Sequence, residues 1–178
     1  MFGGLAVASK YSKDLLLTMY RKMYLMRRFE ERTGQQYGLG KIAGFCHLYI
    51  GQEAVAAGVE EAIRPDDYML SGYRDHAQPL ARGSDPGMVM AELFGRTGGY
   101  SKGKGGSMHI FDIENHYYGG YGIVGAQIGL AAGMAFASRY RNEDRITVCY
   151  FGDAAANQGI FHETLNMAVK WKLPVLYI

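Results

Sequence analysis

Asp153 stands where an apolar run ends, in FGDAAANQG (residues 151–159). A carboxylate at the carboxyl end of a buried parallel strand can hold a hard cation that neutralises phosphate oxygens. The small residues that follow let a ligand approach the backbone closely. By itself, though, Asp153 reads first as a cap for the next helix. Arg74, beside Tyr73 in SGYRDH, carries the planar fork that pairs with a phosphate, although most loop arginines are only solvated. His47 in GFCHLY and His76 in YRDH adjoin loops or element ends, and by position alone both read as solvent-facing. The five histidines show no metal-ligand spacing, which argues against zinc.

Two glycine-rich stretches invite a nucleotide reading. GYGIVG (Gly120–Gly125) fits G-x-G-x-x-G, with Glu143 and Asp144 placed where a ribose-binding acid belongs, but ENHYYG before it reads as a polar loop where a strand is required. GGYSKGKG falls short of a P-loop, because Gly105 stands in the Ser/Thr position and a helix precedes it. The whole stretch 98–107, GGYSKGKGGS, has too little bulk to pack, so it either wraps something or moves. Gly125, Gly129 and Gly133 share one helix face and suit close packing, inside the chain or between subunits.

These residues need elements to hold them. Apolar spacing from Leu15 to Met26 predicts a helix starting at Ser12 and broken by GLGKIAGF (38–45). GQEAVAAGVEEAI (51–63) predicts a second helix ended by Pro65, DYMLS a short strand, and Asp85-Pro86 the cap and first turn of a helix over MVMAELF with Gly95 as its stop. ITVCYF (146–151) and PVLYI (174–178) predict strands buried on both faces. Between them lies a helix carrying Ile160, Leu165, Ala168 and Val169, so the trio reads as a βαβ unit in a parallel sheet. No repeat or linker divides the chain, and residues 1–178 read as one domain.

Composition excludes other classes. Nineteen Lys and Arg nearly balance seventeen Asp and Glu, without a basic stripe, so nucleic acid is not an expected partner. Cys46 and Cys149 lie far apart in apolar surroundings, as buried thiols of a reducing compartment do. MFGGLAVASKYSKD lacks the basic region of a secretion signal, which makes the cytoplasm the expected location. Residues 117–138 are uncharged and approach membrane-span length, but their glycines and Gln127 favour a buried helix with a glycine-rich approach.

Taken in order, MYRKMYLMRRFEE, GFCHLYIGQEAV, SGYRDHAQPLARG, AELFGRTGGYSKGKGGSMH, YGGYGIVGAQIGLAAG and GDAAANQGIFHETLNMAVKWKLPV resemble the alpha subunits of the pyruvate dehydrogenase first component, in the thiamine-diphosphate-dependent 2-oxo acid dehydrogenase family. GFCHLY with KGKGGSMH is more similar to the pyruvate branch than to the branched-chain one, and acetoin dehydrogenase is the nearer competitor. The resemblance implies an α/β thiamine-diphosphate-binding fold, a parallel sheet flanked by helices, with the cofactor between an alpha and a beta subunit, two of each. It implies that Asp153 binds a Mg²⁺ bridging the diphosphate and that backbone at Ala154 and Ala155 lines that group. Tyr73 and Arg74 help hold the diphosphate, Gly122 and Val124 engage the aminopyrimidine, and His47 and His76 are the candidate catalytic residues at the substrate entrance. The glycine stripe then serves the tetramer interface. The implied reaction decarboxylates pyruvate and passes the acetyl group to a lipoyl arm of the acyltransferase, with the activating acid supplied by the beta subunit. Two departures stand out. The family's Gly-Asp-Gly has Ala154 in its third place, which matters if the backbone there needs positive φ. The Asn-Asn half of the cofactor motif falls beyond Ile178, so the chain is expected to complete neither cofactor site nor sheet, as an amino-terminal portion of such a subunit or as a non-catalytic remnant or interaction module.

Overall fold

A computed structural model of the chain describes residues 10–178; the MFGGLAVAS start, on which the reading against secretion rests, lies outside the described residues. The first helix, α1 (Lys13–Gly38), begins where Ser12 accepts the Leu15 N–H at 3.2 Å. Its buried residues, Met26, Phe29, Glu30 and Thr33, fall at i, i+3, i+4 and i+7, further along than the Leu15–Met26 pattern implies. Half of that stripe is polar, which proves important below. After α2 (Glu53–Glu60) and β1 (Tyr68–Gly72) come α3 (Ala77–Arg82), which the sequence reading missed, and α4 (Pro86–Leu93). Asp85 caps α4 by accepting the Met88 N–H at 2.8 Å, with Pro86 in the first turn, and the chain leaves through Gly95 at φ +65°.

The second half runs β2 (Tyr117–Tyr121), α5 (Ala126–Tyr140), β3 (Thr147–Cys149), α6 (Gly159–Lys170) and β4 (Val175–Tyr177). The four strands form one parallel sheet in the order β2-β1-β3-β4, with Leu70 opposite Cys149 and Val148 opposite Leu176. Because strand side chains alternate, Met69 and Val148 enter the core shared with α1 to α4, while Leu70 and Cys149 enter the core shared with α5. The sheet is therefore covered on both faces, as an α/β architecture requires. Leu70→Ala leaves a cavity at the sheet centre and is expected to cost about 2–5 kcal/mol, read as a lowered urea midpoint.

Three expectations need correction. First, a strand does enter GYGIVG: β2 pairs with β1, and α5 follows. Its glycines lower strand propensity, but they are there because neighbours press close. A Cβ at Gly120 would lie 2.1 Å from the Asp75 carboxyl, and one at Gly119 would lie 2.3 Å from the Phe111 ring. The dinucleotide reading still fails, for another reason: Glu143 and Asp144 precede β3 and pair with Arg145 and Arg64, at the strands' amino ends. Second, β4 is an edge strand and only partly buried, with Leu176 44% exposed. Third, Val169 of α6 faces outward, while Thr164 and Ala168 supply the buried face.

The glycine stripe divides. An added Cβ at Gly125 or Gly129 would meet Ile160 of α6, whereas one at Gly133 would meet nothing within 4 Å. Gly120→Ala is accordingly expected to destabilise by about 1–3 kcal/mol or more through overpacking. Gly133→Ala should stabilise this chain by about 0.5–1 kcal/mol, the difference in helix propensity. Thermal denaturation of the pair checks both signs. The uncharged stretch 117–138 is β2 and α5, and no helix among the described residues is long and apolar enough to cross a membrane.

Candidate functional site

From β1 the chain runs to β2 on one side and then, through α5, to β3 on the other, so the connections diverge between β1 and β3. Divergence leaves a crevice beyond the carboxyl ends of those strands. A cleft of about 450 Å³ opens there, lined by Gly72 at the end of β1, Tyr73 and Arg74 after it, Val124, Gly125 and Gln127 at the start of α5, and Tyr150 to Ala154 after β3. Tyr49, Gln52, Val55, Gln78 and Ile178 complete its wall.

Asp153 is exposed in this cleft and opens a 3₁₀ turn, Asp153–Asn157. Its carboxylate caps neither that turn nor α6, whose N-cap is Gln158, so the helix-cap reading is overturned. Ala154 also lines the cleft, and positive φ among the described non-glycine residues is confined to Lys102, His116, Asn142 and Lys172. The backbone at 154 therefore does not demand glycine. Ala155 lies underneath, fully buried, and its N–H is taken by the Gly152 carbonyl at 3.0 Å. Val124 reaches the lining; Gly122 does not, sitting where an added Cβ would be 3.3 Å from His109 Nε2.

Elsewhere in the lining, Arg74 donates from Nη1 to the Leu48 carbonyl at 2.5 Å and lies 5.7 Å over the Tyr73 ring. The His47 ring is 4.6 Å from that of Tyr73. Partial burial, then the charges of Arg74 and His76, hold the His47 pKa below its ordinary value. His76 is not solvent-facing. It is completely buried, with Nδ1 2.9 Å from Glu30 Oε1 and Nε2 2.8 Å from Ser107 Oγ. Burial opposes its protonation, yet the Glu30 hydrogen bond and charge outweigh this and raise its pKa. Both ring nitrogens are occupied, so in this structure His76 touches nothing that enters the cleft.

Sequence reasoning also passed over Glu30, Asp75, Glu92, Ser107 and Gln127, all buried. For Glu30 and Glu92 a signal existed: each falls at helical spacing within its helix's apolar stripe, where an acid must find partners. Asp75 receives the Ile110 N–H on Oδ2 at 3.1 Å, while Oδ1 has no partner among the described residues. Burial pushes its carboxyl up to about 8 from 3.8, against the pull of His76. The folded chain thus holds this proton more tightly than the unfolded one. The stabilisation is whole below about pH 4 and is lost as pH rises through about 8. Asp75→Asn should flatten the fall of the urea midpoint between those limits; an unaltered slope would assign it to other groups.

The cleft suits a bridged diphosphate on its own chemistry. Arg74 and the amino end of the fifteen-residue α5 favour an anion, while Asp153 in the same lining repels one. A cation between carboxylate and anion reconciles the two. No group of three or more His, Cys, Asp or Glu among the described residues could hold a metal by itself. Mg²⁺ needs no such cage, being bound through one or two carboxylates with phosphate oxygens and water. Gln78 Oε1, Gln127 Oε1 and the Tyr150 hydroxyl, on residues that also line the cleft, are buried without protein partners.

A model of the dehydrogenase E1 component family matches residues 21–178. The chain belongs to that family. It is 58% identical over 177 residues to the pyruvate dehydrogenase E1 component subunit alpha of Rhizobium meliloti, covering 99% of this chain and 51% of that protein. It is likewise 58% identical over 167 residues to the subunit of the same name from Zymomonas mobilis, covering 93% and 47%. The mitochondrial alpha-1 subunit of Oryza sativa is 51% identical over 163 residues, covering 92% and 42%. The chain thus spans about half the length of the E1 relatives it matches. The E1 family's thiamine-diphosphate-dependent fold agrees with the observed parallel sheet and helical layers.

Proposed function

We propose that this chain is the amino-terminal portion of a pyruvate dehydrogenase alpha subunit, forming one domain. With a beta subunit, two of each per assembly, it decarboxylates pyruvate on thiamine diphosphate and hands the acetyl group to the lipoyl domain of an acyltransferase, in the cytoplasm. The observation that carries this reading is that Asp153, exposed and capping no helix, lines the same cleft as Arg74 and the amino end of α5. Thiamine diphosphate supplies the electron sink for loss of carbon dioxide. The residues here bind and orient. Asp153 would hold Mg²⁺, Arg74 and Tyr73 would steady the diphosphate, and backbone at Ala154 would bound it. Val124 would flank the aminopyrimidine, with Gly122 outside the lining that this chain presents, and His47 would border the substrate path. The fold gives Ala155 a packing role and His76 a supporting one.

Calorimetric titration of thiamine diphosphate into the complete alpha subunit assembled with its beta subunit tests this. Saturable binding with Mg²⁺ that disappears in chelator is expected, followed by carbon dioxide release from pyruvate. Failure to bind under both conditions would reduce the chain to an interaction module, and faster turnover of acetoin would reassign the substrate.

A further inference from the structure

Tyr49 lines the cleft, and His47 and Leu48 before it reach two other lining residues, Tyr73 and Arg74; none of the three belongs to a helix or strand. Unsupported loop backbone is mobile, yet each of these residues is tied. The His47 N–H donates to Ser107 Oγ at 3.0 Å, the Leu48 carbonyl accepts from Arg74, and the Tyr49 N–H donates to Glu30 Oε1 at 3.1 Å. The outer two ties join through one imidazole. His76 Nδ1 lies 2.9 and 3.1 Å from the two Glu30 oxygens, so it donates; Nε2 lies 2.8 Å from the same Ser107 Oγ that accepts the His47 amide. Glu30, His76 and Ser107 are at most 4% exposed. Elements far apart in sequence, α1 and the segments carrying His76 and Ser107, are thus closed into one buried chain whose two ends are wall amides.

We infer that Glu30 and Ser107 are positioning residues: through His76 they hold the 47–49 wall, and the wall in turn sets the Tyr73 ring and the Arg74 guanidinium at the cleft. The consequence for ligand binding rests on the function proposed above; the mechanical part does not. Ser107→Ala removes the acceptor of the His47 amide, Ser107→Thr keeps a hydroxyl there, and Glu30→Gln keeps an acceptor for Tyr49 while weakening the link to His76.

Amide hydrogen exchange and thiamine diphosphate affinity with Mg²⁺, both measured on the complete alpha–beta assembly, test the inference. Ser107→Ala should speed exchange at His47 and Tyr49 at least tenfold and raise the dissociation constant about tenfold, with the unfolding midpoint of the assembly little changed. Ser107→Thr should restore both, and Glu30→Gln should lie between. A residue serving stability alone would lower the midpoint and leave the affinity of folded protein unaltered. Unchanged exchange at 47–49 in folded Ser107→Ala overturns the wall-holding role, and faster exchange with unchanged affinity overturns its reach to the cleft. If the unsubstituted assembly binds no thiamine diphosphate, the functional proposal fails by itself and the exchange arm still decides the mechanical one.

Discussion

Asp153→Asn is expected to weaken Mg²⁺-dependent binding of thiamine diphosphate by about 100-fold or more, roughly 3 kcal/mol, and to leave folding almost untouched. The two halves of this result have separate causes. Asparagine keeps a carbonyl oxygen but removes the charge that draws a hard cation, and no other acid is among the residues lining the cleft to replace it. Stability survives because the side chain is exposed and caps nothing, so the change in unfolding free energy stays within about 0.5 kcal/mol. Calorimetry of the alpha–beta assembly and urea denaturation of the same variant measure the two halves. Had Asp153 been a helix cap, asparagine would have served equally well and alanine would have cost about 1 kcal/mol. A variant that binds cofactor normally therefore removes the metal assignment. Ala154→Gly provides the companion: since the backbone at 154 does not adopt positive φ, restoring the family's glycine should alter affinity by no more than a few-fold.

Glu92→Ala is expected to unfold the glycine and lysine loop and to destabilise the chain by about 3–5 kcal/mol, the cost of breaking a buried charged network. The loop has little side-chain bulk, and the structure shows what it wraps. The fully buried Glu92 carboxylate accepts the N–H groups of Ser101 and Gly103 on Oε2, at 2.8 and 2.9 Å, and those of Gly105 and Gly106 on Oε1, at 2.7 and 3.2 Å. The same carboxylate explains a glycine: a Cβ at Gly99 would lie 2.4 Å from Oε2. Glu92→Gln should cost nearly as much, because a side-chain amide presents one oxygen and must turn its NH₂ toward two backbone donors. Hydrogen exchange across 101–106 reads the loss locally, and denaturant unfolding reads it globally. Because Ser107 is the last residue of this loop, the 47–49 wall should loosen with it. Slow exchange across 101–106 in folded Glu92→Ala would show that the loop holds itself.

Much of this was readable in particular residues. Ser12 and Asp85-Pro86 are local devices, complete within a few positions, and both act as caps where they stand. β3, α6 and β4 follow from hydrophobic period and order, and they place Asp153 at a strand's end. The site was less legible. Tyr73, Arg74, Val124, Asp153 and Ala154 do converge on the cleft, whereas His76 and Ala155 are buried beneath it and Gly122 stands outside its lining. Glu30 and Glu92 were visible as acids on apolar stripes, but nothing local says which distant groups meet them.

The sequence by itself determined the helices other than α3, the caps at Ser12 and Asp85, the parallel βαβ order, and the carboxylate at a strand end, because these depend on neighbours within a turn or a strand length. Only the tertiary structure decided that YYGGY is a strand, that β4 is an edge, and that His76 links Glu30 to Ser107. Those outcomes hang on groups brought together across the chain: Tyr117 seated against β1, β4 with one neighbour instead of two, and a histidine reaching 46 residues back and 31 forward for its partners. Spacing along a sequence records the period of an element. It does not record which face of another element will close over it.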